Sequence, residues 1–381
     1  MRDAVIVEAV RAPIGRFNGV LAGVHPVDLS AHALTALVER SGIDPTVIDD
    51  VQWGCVSQVG EQALDIARNA VIAAGFPLTV TGMTIDRQCG SSQQAVSSAA
   101  AAVIAGHADV VVAGGVESMS RARLAPPGPE GWSFGTRFLE RFPGFKADQM
   151  RGAELVAEKW GITRAQCDEY SLGSHARAAA AQDNGSFDAE IAPLVNAAGD
   201  KVAHDEGVRR GSTLEKLASL QPVTGPAGII TAGNASQVSD GTAALLVTTS
   251  DKARELGLTP IVRLHTSVTL GDDPVMMLNA PIPATYKALK KSGLTLDQIG
   301  AYEVNEAFAT IALAWLKDTG ADPARMNPNG GAIALGHPLG GSGARIMTTL
   351  IHHMRSNGIR YGLQTMCEGG GQANVTIIER L

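Results

Sequence analysis

Residues 36–54, ALVERSGIDPTVIDDVQWG, and residues 287–305, KALKKSGLTLDQIGAYEVN, can be laid on one another with a constant shift of 251. Ser41-Gly42-Ile43 falls on Ser292-Gly293-Leu294, and Ile48 on Ile299. The same shift, without a gap, puts Pro77 on Pro328 and Gly90-Ser91 on Gly341-Ser342. Gly114-Gly115 then meets Gly369-Gly370 at a shift of 255, which implies a four-residue insertion. Identities are few, and the shared spacing carries the inference. It implies two similar halves, 1–118 and 251–381; the segment 203–250 lies between them and is grouped with the first.

Working outward from the first copy, Val5-Ile6-Val7 reads as a buried strand. Asp28 to Arg40 reads as a helix with Leu29, Ala33, Ala36 and Leu37 on one face, stopped by Ser41-Gly42. Ile48–Gln58 is expected as a strand, Asp65–Ala74 as a helix, and Gly90–Ile104 as an Ala/Ser-rich helix ended by Gly106. Val110–Ala113 is expected as a strand closed by Gly114-Gly115. Strands alternating with helices imply a parallel α/β sheet.

Between the halves the composition changes. Residues 119–202 hold Pro126-Pro127-Gly128-Pro129 and most of the aromatics (Trp132, Phe134, Phe138, Phe142, Phe145, Trp160). Helices are expected over Ala153–Trp160 and Arg164–Gln182. The stretch is too long and too patterned for a loop, so it reads as an inserted subdomain.

Composition removes several classes. A net charge of −7 over 381 residues, with no Lys/Arg block, argues against a nucleic-acid partner. No run approaches the ~20 apolar residues of a membrane span, and the start is too soon acidic for a signal peptide. Cysteines at 55, 89, 167 and 367 form no C-x-x-C pair, so a reducing cytoplasm is the default. Glycine numbers 43 against 4% aromatics, an imbalance that asks for a reason.

Four residues could do chemistry. Cys89 stands where a strand ends and a helix begins, where unpaired N–H groups lower a thiol's pKa and can bind an oxyanion. A buried structural thiol is the alternative. His337, between Gly336 and Pro338, reads as a fixed, uncovered side chain suited to a general base, or as a turn histidine bonded to backbone. Cys367 precedes Gly369-Gly370-Gly371, which permit a ligand close to the main chain or make a tight turn. Asn305 ends a strand, where parallel α/β sheets place ligands, or caps a helix. His352 and His353 point to different sides of a helix, so no metal is expected. Arg209, Arg210, Lys201 and Lys216 form the densest basic patch, for a phosphate or as a solvated face.

DRQCGSSQQA (86–95), TAGNAS (231–236), VNEAFA (304–309), GHPLGGSGARI (336–346) and MCEGGGQAN (366–374) together resemble the thiolases, the acetyl-CoA C-acyltransferases. The likeness covers essentially the whole chain, in order. It implies a duplicated α/β unit in a layered α/β/α/β/α core with an inserted loop domain, and a homodimer or homotetramer. It implies a nucleophile at Cys89, a base at His337, an acid/base at Cys367, and a water held by Asn305 with His337 in one oxyanion hole. The N–H groups of Cys89 and Gly369 would make the second hole, with the triple glycine leaving room for the thioester oxygen. Ser236 and Arg209 would contact CoA, and Met150 would line the acyl pocket. CoA is then a substrate, and no cofactor is implied.

The implied reaction is cleavage of a 3-ketoacyl-CoA by CoA, in fatty-acid or steroid degradation. The alternatives are condensation of two acetyl-CoA and a non-catalytic acyl-CoA or lipid carrier. A decarboxylating synthase of the same fold needs no second cysteine, so Cys367 argues against it. Three departures stand out: Gln149-Met150-Arg151-Gly152 lacks the His-Met-Gly of many relatives, Glu368 stands where many carry a small or apolar residue, and Ser91-Ser92-Gln93-Gln94 differs from the common Gly-Leu pattern.

Overall fold

The computed structural model describes residues 2–122 and 134–381. Pro126–Pro129 and Trp132 lie outside the described residues. The first half runs β1 (Val5–Arg11), β2 (Gly15–Arg16), α1 (Pro26–Ser41), β3 (Asp50–Gly54), α2 (Ile66–Ala73), β4 (Thr81–Ile85), α3 (Ser91–Ala105) and β5 (Val110–Ser118). The middle segment holds α4 (Gly135–Arg141), α5 (Gln149–Trp160), α6 (Arg164–Asp183), the short pair β6 (Leu194–Val195) and β7 (Lys201–Val202), and α7 (Leu214–Ala218). The chain returns through β8 (Ser239–Thr248) and α8 (Ser250–Glu255). The second half runs β9 (Val262–Gly271), α9 (Pro281–Ser292), β10 (Ala301–Val304), α10 (Ala309–Thr319), α11 (Ala332–Leu335), α12 (Leu339–Ser356), β11 (Tyr361–Glu368) and β12 (Gln372–Arg380).

The repeat has a physical basis. α1 and α9 both begin with proline in the first turn and both stop at a left-handed glycine, Gly42 (φ 70°) and Gly293 (φ 73°). In each, the serine before that glycine bonds back to a carbonyl of the last turn: Ser41 Oγ to Val38 O at 3.2 Å and Ser292 Oγ to Leu289 O at 3.0 Å. The strand order, β10-β11-β12-β9-β1-β8-β5-β3-β4, is symmetric about the β9–β1 pair except for β4. The counterpart of β4 would be residues 332–336, which form α11 and Gly336 instead.

Alternation within strands sorts side chains into layers. On β5, Val110, Val112 and Val116 pack with α1 and α2, while Val111 and Ala113 face α3 and α12. On the other half of the sheet, α9 and α10 cover the outer face. Two central helices between two half-sheets, each covered outside, give the expected five layers.

Three expectations change. Gly114-Gly115 do not close a strand: β5 continues to Ser118. A Cβ on Gly114 would fall 2.2 Å from Ala243 O, and one on Gly115 2.3 Å from Gly340 O, so glycine here admits neighbouring backbone. The expected strand 48–58 is only Asp50–Gly54, because Val56 and Ser57 turn their N–H groups to the Glu117 carboxylate. There is no four-residue insertion in the repeat. α3 and α12 end at Ala105 and Ser356, and β5 and β11 begin at Val110 and Tyr361, keeping the shift of 251. Gly369–Gly371 form the β11–β12 turn instead.

The central helices sit unusually close. A Cβ on Gly343 would lie 2.2 Å from Gln93 N, one on Gly54 2.4 Å from Ser92 N, and one on Gly340 2.5 Å from Val116 O. Much of the glycine excess therefore serves packing. Gly340 and Gly343 seat α12 against α3 and β5.

Candidate active site

Cys89 immediately precedes α3, whose N-cap is Gly90. The turn before it is tight: Gln88 adopts φ 50°, left-handed for a non-glycine residue. Local bonds hold it there. Gln88 N donates to Asp86 Oδ1 (2.7 Å), Ser91 Oγ donates to Gln88 O (2.6 Å), and Arg87 N donates to Ser91 Oγ (2.9 Å). From β12, Asn374 Nδ2 donates to Gly90 O at 3.0 Å. The Cys89 side chain is buried in a cluster with Met119, Leu339, Ile346 and Met366, bordered by Val56. The helix N-terminus was expected to acidify this thiol. Burial outweighs it, and with Cys367 and Glu368 nearby it pushes the thiol well above its ordinary range.

His337 is 4% exposed, not uncovered as the sequence suggested. Gly336 (φ 109°) turns the chain into it, and a Cβ there would strike Ser239 Oγ. The His337 N–H donates to Gln237 O at 3.0 Å. Both ring nitrogens have partners. Nδ1 lies 2.6 Å from Ser342 Oγ, which donates to Pro338 O at 2.9 Å, so Nδ1 carries the proton. Nε2 lies 3.3 Å from Asn305 Nδ2 and is the acceptor. Burial, reinforced by the Arg345 guanidinium, lowers the imidazole to about 3. The resting side chain is a neutral base with its lone pair on Nε2.

Asn305 follows β10, its N–H bonded to Thr365 O at 3.0 Å, and its Oδ1 is buried without a partner. Cys367 lies on β11 opposite Ala373, and burial pushes its thiol to about 12. In the turn that follows, the three glycines divide their work. Gly370 (φ 82°) and Gly371 (φ 76°) are left-handed, and a Cβ on Gly371 would meet the carbonyl of Asp273 at 2.7 Å. Gly369 and Gly370 line a cavity, while the left-handed turn itself accounts for Gly370 and Gly371.

Two cavities of about 540 Å³ border the Cys89 cluster. One is lined by Arg16, Phe17, Met119, Arg209, Ser236 and Val238. Arg209 also borders a smaller recess with His175, Ser212 and Lys216. Arg210 is bound to Asp183 through two contacts of 2.8 and 2.9 Å, and Lys201 lies apart on β7. The second cavity is lined by Val56, Gln88, Phe134, Phe145, Gln149 and Gly369. Met119 joins the first cavity to the Cys89 cluster, and Val56 joins the second. Met150, expected in the acyl pocket, is 44% exposed on the first turn of α5; its neighbour Gln149 lines the cavity.

Sequence reasoning missed the carboxylates that hold these loops. Glu306 is buried and accepts from Tyr170 Oη (2.8 Å), Ser174 Oγ (2.7 Å), Asn327 Nδ2 (3.0 Å) and Ile333 N (3.1 Å). It ties the insertion helix α6 to the segment that delivers His337. Glu117 accepts from Val56 N, Ser57 N, Gln62 Nε2 and Gly340 N, at 2.7 to 3.0 Å. An acidic residue at a strand end, just after paired glycines, was the available signal. His352 Nε2 meets Ala9 O, and among the described residues no group of His, Cys, Asp and Glu is placed to hold a metal.

Residues 4–251 match the thiolase N-terminal domain and residues 258–380 the thiolase C-terminal domain. The chain is 50% identical to the steroid 3-ketoacyl-CoA thiolase FadA6 of Mycobacterium tuberculosis, over all of this chain and 95% of that protein. It is 44% identical to a 3-ketoacyl-CoA thiolase of Aliivibrio fischeri over the full length of both. The crystal structure of the Bacillus anthracis acetyl-CoA acetyltransferase superposes with a TM-score of 0.92 at 40% identity, covering 100% of this chain and 99% of that one.

Proposed function

The chain belongs to the thiolase family, and from that premise we propose that it cleaves a 3-ketoacyl-CoA with CoA through an acyl-enzyme on Cys89. The observation that carries the reading is a neutral imidazole held at both nitrogens by Asn305 and Ser342, together with two buried thiols of which Cys367 is close enough to raise Cys89.

In this reading both thiols rest protonated. His337 Nε2, the unprotonated nitrogen, exchanges its long contact with Asn305 for the Cys89 proton as the sulfur adds to the 3-keto carbon. The C2–C3 bond then breaks and its electron pair forms the enolate of acetyl-CoA. The Cys367 S–H protonates that carbon, which leaves as acetyl-CoA. An incoming CoA thiol, giving its proton to the Cys367 sulfur, adds to the Cys89 thioester. Collapse releases the shortened acyl-CoA, and Cys89 takes back the proton from His337. Oxyanions form at two places, on the thioester oxygen of the enolate and on the oxygen of the carbon bonded to Cys89. Asn305 with His337 would meet one, through a water, and the N–H groups of Cys89 and Gly369 the other; such donors are each worth ~10²–10³ in rate.

CoA is a substrate here and no cofactor enters. Ser236 and Arg209 share the cavity that reaches the Cys89 cluster through Met119, which suits the pantetheine arm and nucleotide. The cavity that reaches Val56 and Gly369 suits the acyl group. The degradative direction is supported by the names of the 3-ketoacyl-CoA thiolases above. The likeness to an acetyl-CoA acetyltransferase favours a second reading, condensation of two acetyl-CoA. Pairing of two copies is supported by the open edge strand β4 and by Leu64 and Leu78 near it, 90% and 77% exposed. Four unpaired cysteines fit a cytoplasmic setting, and no helix among the described residues is long and apolar enough to cross a membrane.

The test is thiolysis of acetoacetyl-CoA, medium-chain and ring-bearing 3-ketoacyl-CoA esters, followed by loss of the enolate absorbance. Turnover of longer or ring-bearing esters in preference to acetoacetyl-CoA is expected. No turnover of any of them removes the reading.

A further inference from the structure

Glu117 and Glu368 are 251 residues apart, the shift that relates the two halves, and each lies at the end of a strand feeding the site. Each carboxyl is buried against the start of the opposite central helix. Glu117 accepts the Gly340 N–H at the start of α12, the helix that follows His337. Glu368 packs on Gly90, the residue between Cys89 and α3: a Cβ there would fall 2.0 Å from Glu368 Oε1 and 2.7 Å from Asn374 Nδ2.

The counterparts differ in what surrounds them. Glu117 has four donors. Glu368 Oε1 and Oε2 have none, and neither has Asn374 Oδ1, whose amide meets the same face of Gly90 as the Glu368 carboxyl. These are buried acceptors left without donors, which costs free energy unless one atom becomes a donor. A carboxyl group becomes a donor by keeping its proton. Asn374 is the natural recipient, since its own amide already holds the Gly90 carbonyl.

We propose that Glu368 is a positioning residue for Cys89: its carboxyl O–H donates to Asn374 Oδ1 and locks the Gly90 turn on which the nucleophile stands. The inference rests on the reading of Cys89 as the nucleophile. The surrounding charges agree with a retained proton. Burial raises the Glu368 carboxyl to about 8, with Arg87 lowering it and Asp86 raising it from the loop before α3. The other groups near it are the Cys89 and Cys367 thiols, and from β12 the uncharged Gln372 and Asn374. Asp272 and Asp273 meet the same turn at Gly371. A charge on Glu368 would also raise both thiols further.

Glu368→Gln keeps a donor at every pH, and Glu368→Ala removes it. Each is compared with the unmodified protein by the rate of acylation from acyl-CoA, read by intact mass across pH 6 to 9, and by the KM for acyl-CoA. Glu368→Ala is expected to slow acylation at least ten-fold at pH 7 with KM within two-fold. Glu368→Gln is expected to acylate within about three-fold of the unmodified protein at pH 7 and to lose the decline in rate above pH 8. If Glu368→Ala acylates within two-fold of the unmodified protein, or Glu368→Gln keeps its pH profile, the proposal is overturned. If Glu368→Ala does not fold, the Glu368→Gln profile alone decides. An unmodified protein that takes no acyl group on Cys89 overturns the nucleophile reading instead, and this one with it.

Discussion

The loop that carries His337 and the loop that carries Cys89 occupy the same place in the two halves, each just ahead of a central helix, yet they are held in different ways. His337 is fixed on three sides: its N–H on Gln237 O, Nδ1 on Ser342, Nε2 on Asn305. The Glu117 carboxylate anchors the helix start behind it with a full set of donors. The Cys89 loop stands on a left-handed Gln88 and a carboxyl with no donors. Duplication supplied one frame, and divergence of two loops in that frame separated a locked base from a poised nucleophile. The difference follows from roles. A base must keep one tautomer through the cycle, while the nucleophile's turn must accept a covalent acyl group and release it.

The largest effect expected tests whether these loops have those roles at all. Cys89→Ala should show no acyl adduct by intact mass and at least a ~10³-fold fall in kcat. Cys367→Ala should still acylate from acetyl-CoA, more slowly because CoA then leaves as the thiolate without the Cys367 proton, yet lose carbon–carbon cleavage. An adduct that persists in Cys89→Ala places the nucleophile elsewhere and dissolves the comparison.

Next comes the contrast between the two anchors. Glu117→Ala leaves three backbone N–H groups and the Gln62 amide buried without an acceptor. Urea denaturation should show a loss of about 3–5 kcal/mol. Glu368→Ala strips no donor of its partner and should cost about 1 kcal/mol or less. Equal losses at the two positions would mean that Glu368 has donors in solution.

Much of this architecture could be read in the sequence because repeat spacing is set by local rules. Ser41-Gly42 and Ser292-Gly293 end helices through their own conformational preferences, wherever the helices pack. The candidate residues were legible for a similar reason: strand ends and helix starts are local features, and Cys89, Asn305 and Cys367 sit on them. What the sequence hid depends on contacts between distant segments. Gly114 and Gly115 look like a strand stop, and only the approach of Ala243 and Gly340 explains them. A helix N-terminus suggested an acidic thiol, but the apolar shell of Met119, Leu339 and Met366 comes from three other regions. Glu117 and Glu368 look alike in sequence, and only their neighbours separate them.

A smaller effect sharpens the account of the locked base. Ser342→Ala removes the acceptor of the His337 Nδ1 proton without touching Nε2. The ring can then exchange tautomers, and Nε2 is no longer always the acceptor. A fall in kcat of about ten-fold with KM nearly unchanged is expected, equivalent to ~1.4 kcal/mol. If kcat is unaffected, the Gly336–Pro338 turn and Asn305 alone hold the ring.

The smallest expected effect is a slope. The Glu368 carboxyl is raised from 4.5 to about 8 in the folded chain. Between those values the folded chain keeps a proton that the unfolded chain releases, so its contribution to stability is complete below pH 4.5 and is lost as pH rises through 8. The slope is about 1.4 kcal/mol per pH unit inside that window. His337 acts in the opposite sense. Lowered from 6.5 to about 3, it makes the unfolded chain bind the extra proton, so stability falls as pH drops from 6.5 toward 3. Between pH 4.5 and 6.5 the His337 slope opposes that of Glu368, so the informative range is pH 6.5 to 8. Glu303, also raised to about 8 by burial, contributes there as well, and it contributes equally in a Glu368→Gln variant. The difference in urea stability between the unmodified chain and Glu368→Gln, taken at pH 6.5 and again near 8, therefore isolates one carboxyl. It should shift by about 2 kcal/mol in favour of the variant at the higher pH. A constant difference would place a charge on Glu368 already at neutral pH and make the two anchors alike.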